Sequence, residues 1–229
     1  MVQKRQHSRA ILRQNKVTPM FLATPWWVNL LVFVPIVTYV IYRRLGLSLD
    51  RIALGAGLTF GMAFGFVEAA VVVYLRAATG LLSGAQVMAL TYPVNTHSAT
   101  PEVLAAMPQA LVKVEILREV ATMVMLVSLA LLAARTWIAR VAMFLWTFAA
   151  WDVAYYLGLW MTIRWPSSLR ESDVLFLIPQ PWISQVWYPL LVSALTLAAV
   201  ILGRKASAPV SANDALIADE AASQSGESG

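Results

Sequence analysis

Apolar residues run along this chain in five long blocks separated by polar punctuation. The blocks cover residues 26–42, 52–75, 110–134, 137–163 and 182–202. A helix needs about 20 predominantly apolar residues to cross the hydrocarbon of a bilayer. The pattern therefore predicts an all-α integral membrane bundle of about five transmembrane helices. The first block is the shortest and contains Pro35, which predicts a kink. Trp26, Trp27, Trp137, Trp165 and Trp182 fall at block ends, where interfacial aromatic anchors sit.

The connections differ in kind. Residues 43–51 and 135–136 are short loops, whereas 76–109, with glycines and prolines, and 164–181, with three prolines, are longer. In the last of these, "VLFLI" before Pro179 is too short to span alone. It is expected either as a re-entrant or interfacial piece, or as an extension of the fifth helix broken at Pro179 and Pro181. A transmembrane domain over 26–203 is thus flanked by a basic arm, 1–25, and an acidic tail, 204–229.

Composition agrees with this picture. Of 229 residues, 59% are hydrophobic and only 13% charged, against about 25% charged in soluble domains. There is no cysteine, which excludes disulfides, thiolate nucleophiles and Cys-ligated metals, iron–sulfur clusters included. The two histidines, His7 and His97, lie outside the apolar blocks, so no haem site is expected either. The arm carries Lys4, Arg5, Arg9, Arg13 and Lys16 without an acid, as a segment attracted to lipid headgroups would. No motif or aromatic interleaving supports nucleic-acid binding. The tail carries Asp214, Asp219, Glu220 and Glu227 among Ala, Ser and Gly, a composition that predicts disorder. No cleaved leader is expected, because the first apolar block begins only after a long basic region.

The loops at one end of the bundle carry Arg43, Arg44, Arg51, Arg135, Arg140, Arg204 and Lys205. By the positive-inside rule that end, with the C-terminus, is cytoplasmic, although the basic arm argues the other way. The lipid bilayer, of the bacterial cytoplasmic membrane, is the expected partner.

Charge inside the blocks changes the picture further. Glu68, Glu115, Arg118, Glu119 and Asp152 all lie within predicted spans. Each such charge costs about 2.5–3.5 kcal/mol at a helix centre on insertion scales, so these residues should face protein or water. At about 1.5 Å rise per residue, Glu68, Glu119 and Asp152 come to a similar depth, nearer the end that bears the long loops. Ala53, Gly57, Gly61, Gly65 and Ala69 recur every four residues, a ladder that admits a close helix neighbour or a second copy of the chain. Glu68 borders that ladder. Glu115, Arg118, Glu119 and Thr122 share one helix face, and Asp152 shares its face with Tyr155 and Tyr156.

Three functions fit this constellation. In the first, Glu68, Glu119 and Asp152 bind a proton or cation, in transport or ion binding, with Arg118 as counter-ion and Glu115, Tyr155, Tyr156 and His97 in support. In the second, the carboxyls perform acid–base chemistry on a lipid-soluble substrate. In the third, Arg118 bridges Glu119, Glu68 and Asp152 in a purely structural polar knot. A di-iron centre is not expected, because "EILRE" is not followed by the His that bundle di-iron motifs require. An oxygen-ligated Mg²⁺, Ca²⁺ or Mn²⁺ site stays open.

The blocks "FGFVEAAVVVYLR", "EILREVATMVML", "WDVAYYLGLW" and "WPSSLRESDVLFLIPQPW" occur in order and together cover most of 55–195. In them the chain resembles an uncharacterised family of bacterial multi-pass membrane proteins. The resemblance implies a membrane fold and attaches no activity. Glu68, Glu115, Arg118, Glu119, Asp152, Tyr155 and Asp173 fall in the recurring blocks; "PQPW" stands where such proteins often have "PVPW". "WDVAYYLGLW" followed by "DVLFLIP" is also similar to the membrane lycopene-cyclase type of carotenoid domain, without the Pro-Glu-rich motif of that group.

Overall fold

A computed structural model of the protein describes residues 23–78 and 108–206. The basic arm up to residue 22, the loop residues 79–107 with His97, and the tail beyond 206 lie outside the described residues.

The first span opens as a 3₁₀ segment, Trp26–Val32, and continues as α1, Phe33–Leu45. Pro35 sits in the first turn of α1, where its missing N–H costs no helix bond. The irregularity expected at the proline therefore precedes it. The second, third and fourth spans are α2 (Arg51–Ala78), α3 (Gln109–Ala133) and α4 (Trp137–Ile163). Between α3 and α4 the chain turns within a few residues, and the Thr136 hydroxyl accepts the Ala139 N–H at 3.3 Å as an N-cap. The fifth helix, α5, is Trp187–Ala206. Among the described residues, five helices are long and apolar enough to cross a membrane, as the apolar blocks predict.

The predicted start of the fifth span at residue 182 is corrected. Residues Ser172–Phe176 form β1 and Trp182–Gln185 form β2, an antiparallel hairpin in which Asp173 faces Ser184 and Val174 faces Ile183. "DVLF" is β-branched and aromatic, and the following "IPQP" can neither extend a helix nor hold a ladder. The chain therefore turns back on itself. Ahead of the first span, Thr24 exchanges two backbone hydrogen bonds with Ile183, at 2.8 and 2.7 Å. The hairpin is thereby stitched to the chain before α1.

α2 lies along α4, and the small-residue ladder explains the intimacy. A Cβ built on Gly61 would stand 2.7 Å from the Thr147 carbonyl oxygen, and one on Gly57 2.8 Å from the Met143 sulfur. Only hydrogen fits between Gly61 and that backbone. The Gly57/Gly61/Gly65 face, offered by the sequence as a contact between copies, is thus filled by α4 of the same chain. One apolar core, around Tyr42, Leu54, Met143, Trp146 and Val200, fills the end of the bundle that holds the α1–α2 and α3–α4 turns. There the Trp146 indole N–H donates to the Leu54 carbonyl at 2.9 Å. A second core gathers Ala69, Tyr156, Leu159, Trp165 and Val186 near the hairpin.

The outside of the bundle is apolar. Phe33, Ile36, Val37 and Ile41 on α1, and Val114, Leu117, Val124 and Leu132 on α3, are exposed. Such continuous belts suit lipid rather than water. Trp26 and Trp137 are exposed at span ends as expected, but Trp165 is fully buried. It is a core residue and not an interfacial anchor.

Candidate functional site

The helices and the hairpin enclose a cavity of about 110 Å³. α2 brings Glu68 to its wall, three residues past Gly65, where the close approach of α4 has already drawn the backbone in. α3 brings Arg118, Glu119 and Thr122, and α4 brings Trp151, Asp152, Tyr155 and Tyr156. α5 contributes Ser193, and the hairpin contributes Asp173, Phe176 and Trp182. Glu68, Glu119 and Asp152, the acids that the depth estimate places at one level, therefore line one space together with Arg118.

Their partners differ from those expected of a polar knot. The Arg118 guanidinium donates to Glu115, with Nε and Nη2 at 2.8 and 2.7 Å from Oε2. Its Nη1 pairs with Glu68 Oε1. Arg118 thus bridges α2 and α3, but it bonds neither Glu119 nor Asp152. Glu115, assigned by the sequence reading to a supporting place, is a direct partner of Arg118.

Glu119 instead accepts the Leu177 N–H on both carboxylate oxygens, at 3.0 and 2.9 Å. Asp152 accepts the Ser193 hydroxyl at 2.8 Å. The Tyr156 hydroxyl donates to Asp173 at 2.8 Å, and the Val174 N–H donates to the other Asp173 oxygen at 3.0 Å. Each acid is held from a different element. Among the described residues, no three His, Cys, Asp or Glu side chains stand close enough together to hold a metal ion.

Asp173, which lies outside the spanning helices, is buried to 1% exposure. Burial pushes its carboxyl up to about 6 from the ordinary 3.8, against the opposing pull of the Arg76 charge and two hydrogen bonds. Arg76 stands near the end of α2, where a basic residue ordinarily marks the membrane boundary. It is buried instead, with its guanidinium 4.5 Å from the centre of the Trp165 ring. A cation over an indole face is stabilised by the ring quadrupole, which keeps this charge near Asp173 without exposing it.

Sequence reasoning missed Arg76, Asp173, Ser193 and the aromatic wall. Asp173 had a signal, since it directly precedes the short apolar run in the fourth block. Ser193 and Phe176 had none beyond their place in apolar segments. Tyr155 and Tyr156 both reach the site; His97 lies outside the described residues, and Lys113 is exposed at the start of α3.

Among the described residues, four acids and one arginine line the cavity. Adding Glu115 and Arg76 beside it makes five acids and two bases. Arg118 pairs only some of these acids; the others accept hydrogen bonds from neutral donors, and taking a proton or a cation would relieve their buried charge. The site also has aromatic rings in contact around it: Phe148 with Trp151 at 5.2 Å between centroids, and Phe176 with Trp182 at 5.3 Å. Comparison with protein-family models, with curated proteins and with solved structures gives no match.

Proposed function

We propose that this multi-pass membrane protein binds a proton or a monovalent cation in the cavity between its helices and the hairpin, in transport or in ion binding. The observation that carries the proposal is the imbalance of charge around a partly open cavity, four lining acids to one lining arginine among the described residues. The scattered partners of those acids favour a proton or a diffuse positive charge over a divalent metal, which needs several oxygens converging on one point. Glu119 and Asp152 are the acids that take part in binding, each held by one neutral donor and neither by Arg118. Glu68 and Glu115 are committed to Arg118. The membrane is the bacterial cytoplasmic membrane, a reading that rests on the resemblance of the four sequence blocks. The C-terminus lies inside, a reading that rests on the arginines of the two short loops.

The test is thermal melting of the purified protein from mildly acidic to mildly basic pH, with and without added monovalent cations. The expected result is a midpoint that rises with cation concentration, or a pH dependence beyond that of Asp173 that persists in Asp173→Asn, and loss of that response in Glu119→Gln. A midpoint indifferent to cations, with no pH dependence left in Asp173→Asn, would replace this reading by that of a structural polar knot.

A further inference from the structure

We infer that the ligand of the cavity is a small organic ammonium that also carries an acceptor oxygen, as amino alcohols such as ethanolamine and choline do. The inference rests on the cation-binding reading above and narrows it to one chemistry.

Three properties of the wall lead there. The first is its material. Phe148, Trp151, Phe176 and Trp182 form a connected aromatic surface on the cavity, with Trp151 and Phe176 centroids 6.3 Å apart. A small inorganic cation gives up its water only to several oxygens at once, and among the described residues no three carboxylate or imidazole side chains converge to supply them. An alkylated ammonium is weakly hydrated and spreads its charge over methyl or methylene groups. Ring faces and a carboxylate a few ångströms away stabilise it, as in aromatic cages for quaternary ammonium groups.

The second property is size. At about 110 Å³, the cavity is of the order of an engineered apolar cavity of about 150 Å³ that accepts benzene. A headgroup-sized molecule fits this space, and a long-chain polyamine does not.

The third property is an unmet donor. Trp151 is 7% exposed and lines the cavity, and its indole N–H has no hydrogen-bond partner among the described residues. Trp182, also on the wall, has a buried indole N–H in the same condition. An indole N–H only donates, so neither can bond to an ammonium. Each requires an acceptor oxygen, and Trp151 adjoins Asp152 in α4. A ligand with its positive end toward the carboxylates and an oxygen nearby satisfies both demands. That chemistry occurs in free amino alcohols and in the headgroups of membrane lipids.

The experiment uses the full chain in nanodiscs of phosphatidylglycerol alone. Choline, ethanolamine, tetramethylammonium and sodium chloride are titrated at matched ionic strength while tryptophan fluorescence and the melting midpoint are followed. Choline or ethanolamine should bind roughly three- to tenfold more tightly than tetramethylammonium, the worth of one hydrogen bond, and sodium should not compete. In Trp151→Phe the ring stays and the donor goes, so the preference for choline should vanish while tetramethylammonium still binds. Equilibrium dialysis of labelled choline against the unaltered protein gives the same answer without any variant. Repeating the titration in nanodiscs containing phosphatidylethanolamine separates the sources. Weaker apparent choline binding there assigns the site to a lipid headgroup, and unchanged binding assigns it to the free amine. Equal effects of sodium and choline would overturn the organic ligand and leave the cation site standing. No response to any cation or to pH would overturn both.

Discussion

Glu119 on α3 and Leu177 in the hairpin turn are joined by a forked hydrogen bond, the Leu177 N–H lying 3.0 and 2.9 Å from the two carboxylate oxygens. This bond fastens the hairpin across the cavity to the helix that also carries Arg118. A bond to a charged acceptor contributes about 1.5–3 kcal/mol, and removing it leaves a half-buried backbone donor without this partner. Glu119→Ala should therefore lower stability by about 1.5–3 kcal/mol. Glu119→Gln, whose amide oxygen still accepts, should lose less. Hydrogen exchange at the Leu177 amide is the direct readout. Exchange as slow in the alanine variant as in the parent protein would show that the hairpin is held by something else.

The contact of α2 with α4 makes a paired prediction. Gly61→Ala puts a methyl group 2.7 Å from a backbone carbonyl that has no freedom to retreat, whereas a methyl group at Gly55 meets nothing within 4 Å. Gly61→Ala should cost about 1–3 kcal/mol, the usual penalty of overpacking. Gly55→Ala should be neutral, or stabilising by up to about 1 kcal/mol, because it removes backbone freedom from a helix interior. Thermal melting of the two variants side by side distinguishes the sites, and equal effects would contradict this packing.

Asp173 predicts a particular dependence on acidity. Its folded-state value of about 6 stands above the ordinary 3.8, so the folded protein holds a proton that the unfolded chain releases earlier. The stabilising contribution is complete below about pH 4 and is lost as pH rises through about 6. Arg76 on α2 and Tyr156 on α4 face the same carboxyl and temper the shift. Asp173→Asn cannot titrate. Relative to the parent protein it should gain on the order of 3 kcal/mol between about pH 4 and pH 7. A stability difference between the two proteins that stays constant over that range would refute the assignment.

What the sequence made legible follows from what it encodes locally. Span length and apolar content are sums over twenty or so residues, and all five helices could be read from them. The Gly57–Gly61–Gly65 spacing likewise foretold a close helix neighbour, because small residues every four positions align on one face. The choice of partners was not local. Arg118 reaches Glu68 and Glu115 while Glu119, one residue further along α3, turns to the hairpin. No periodicity predicts that division, because it depends on where the residues after Ile163 lie in space. The hairpin was illegible for a related reason. Its strands are short, and the prolines that mark its turn announce only that a helix stops. Arg76 was misplaced because a basic residue near a helix end ordinarily marks the membrane boundary. Here the ring of Trp165 offers it an interior alternative.

The pairing of Thr24 with Ile183 bears on how such a protein is assembled. Thr24 precedes the first span in the chain, and Ile183 follows the fourth. A chain made from its N-terminus lacks the hairpin wall of Asp173, Phe176 and Trp182 until four of its spans are complete. The cavity is thus closed by a late segment of the chain pairing with one ahead of the first span. Damage to either edge, Thr24 or Ile183, would be felt during biogenesis as an unsealed bundle rather than as a missing helix.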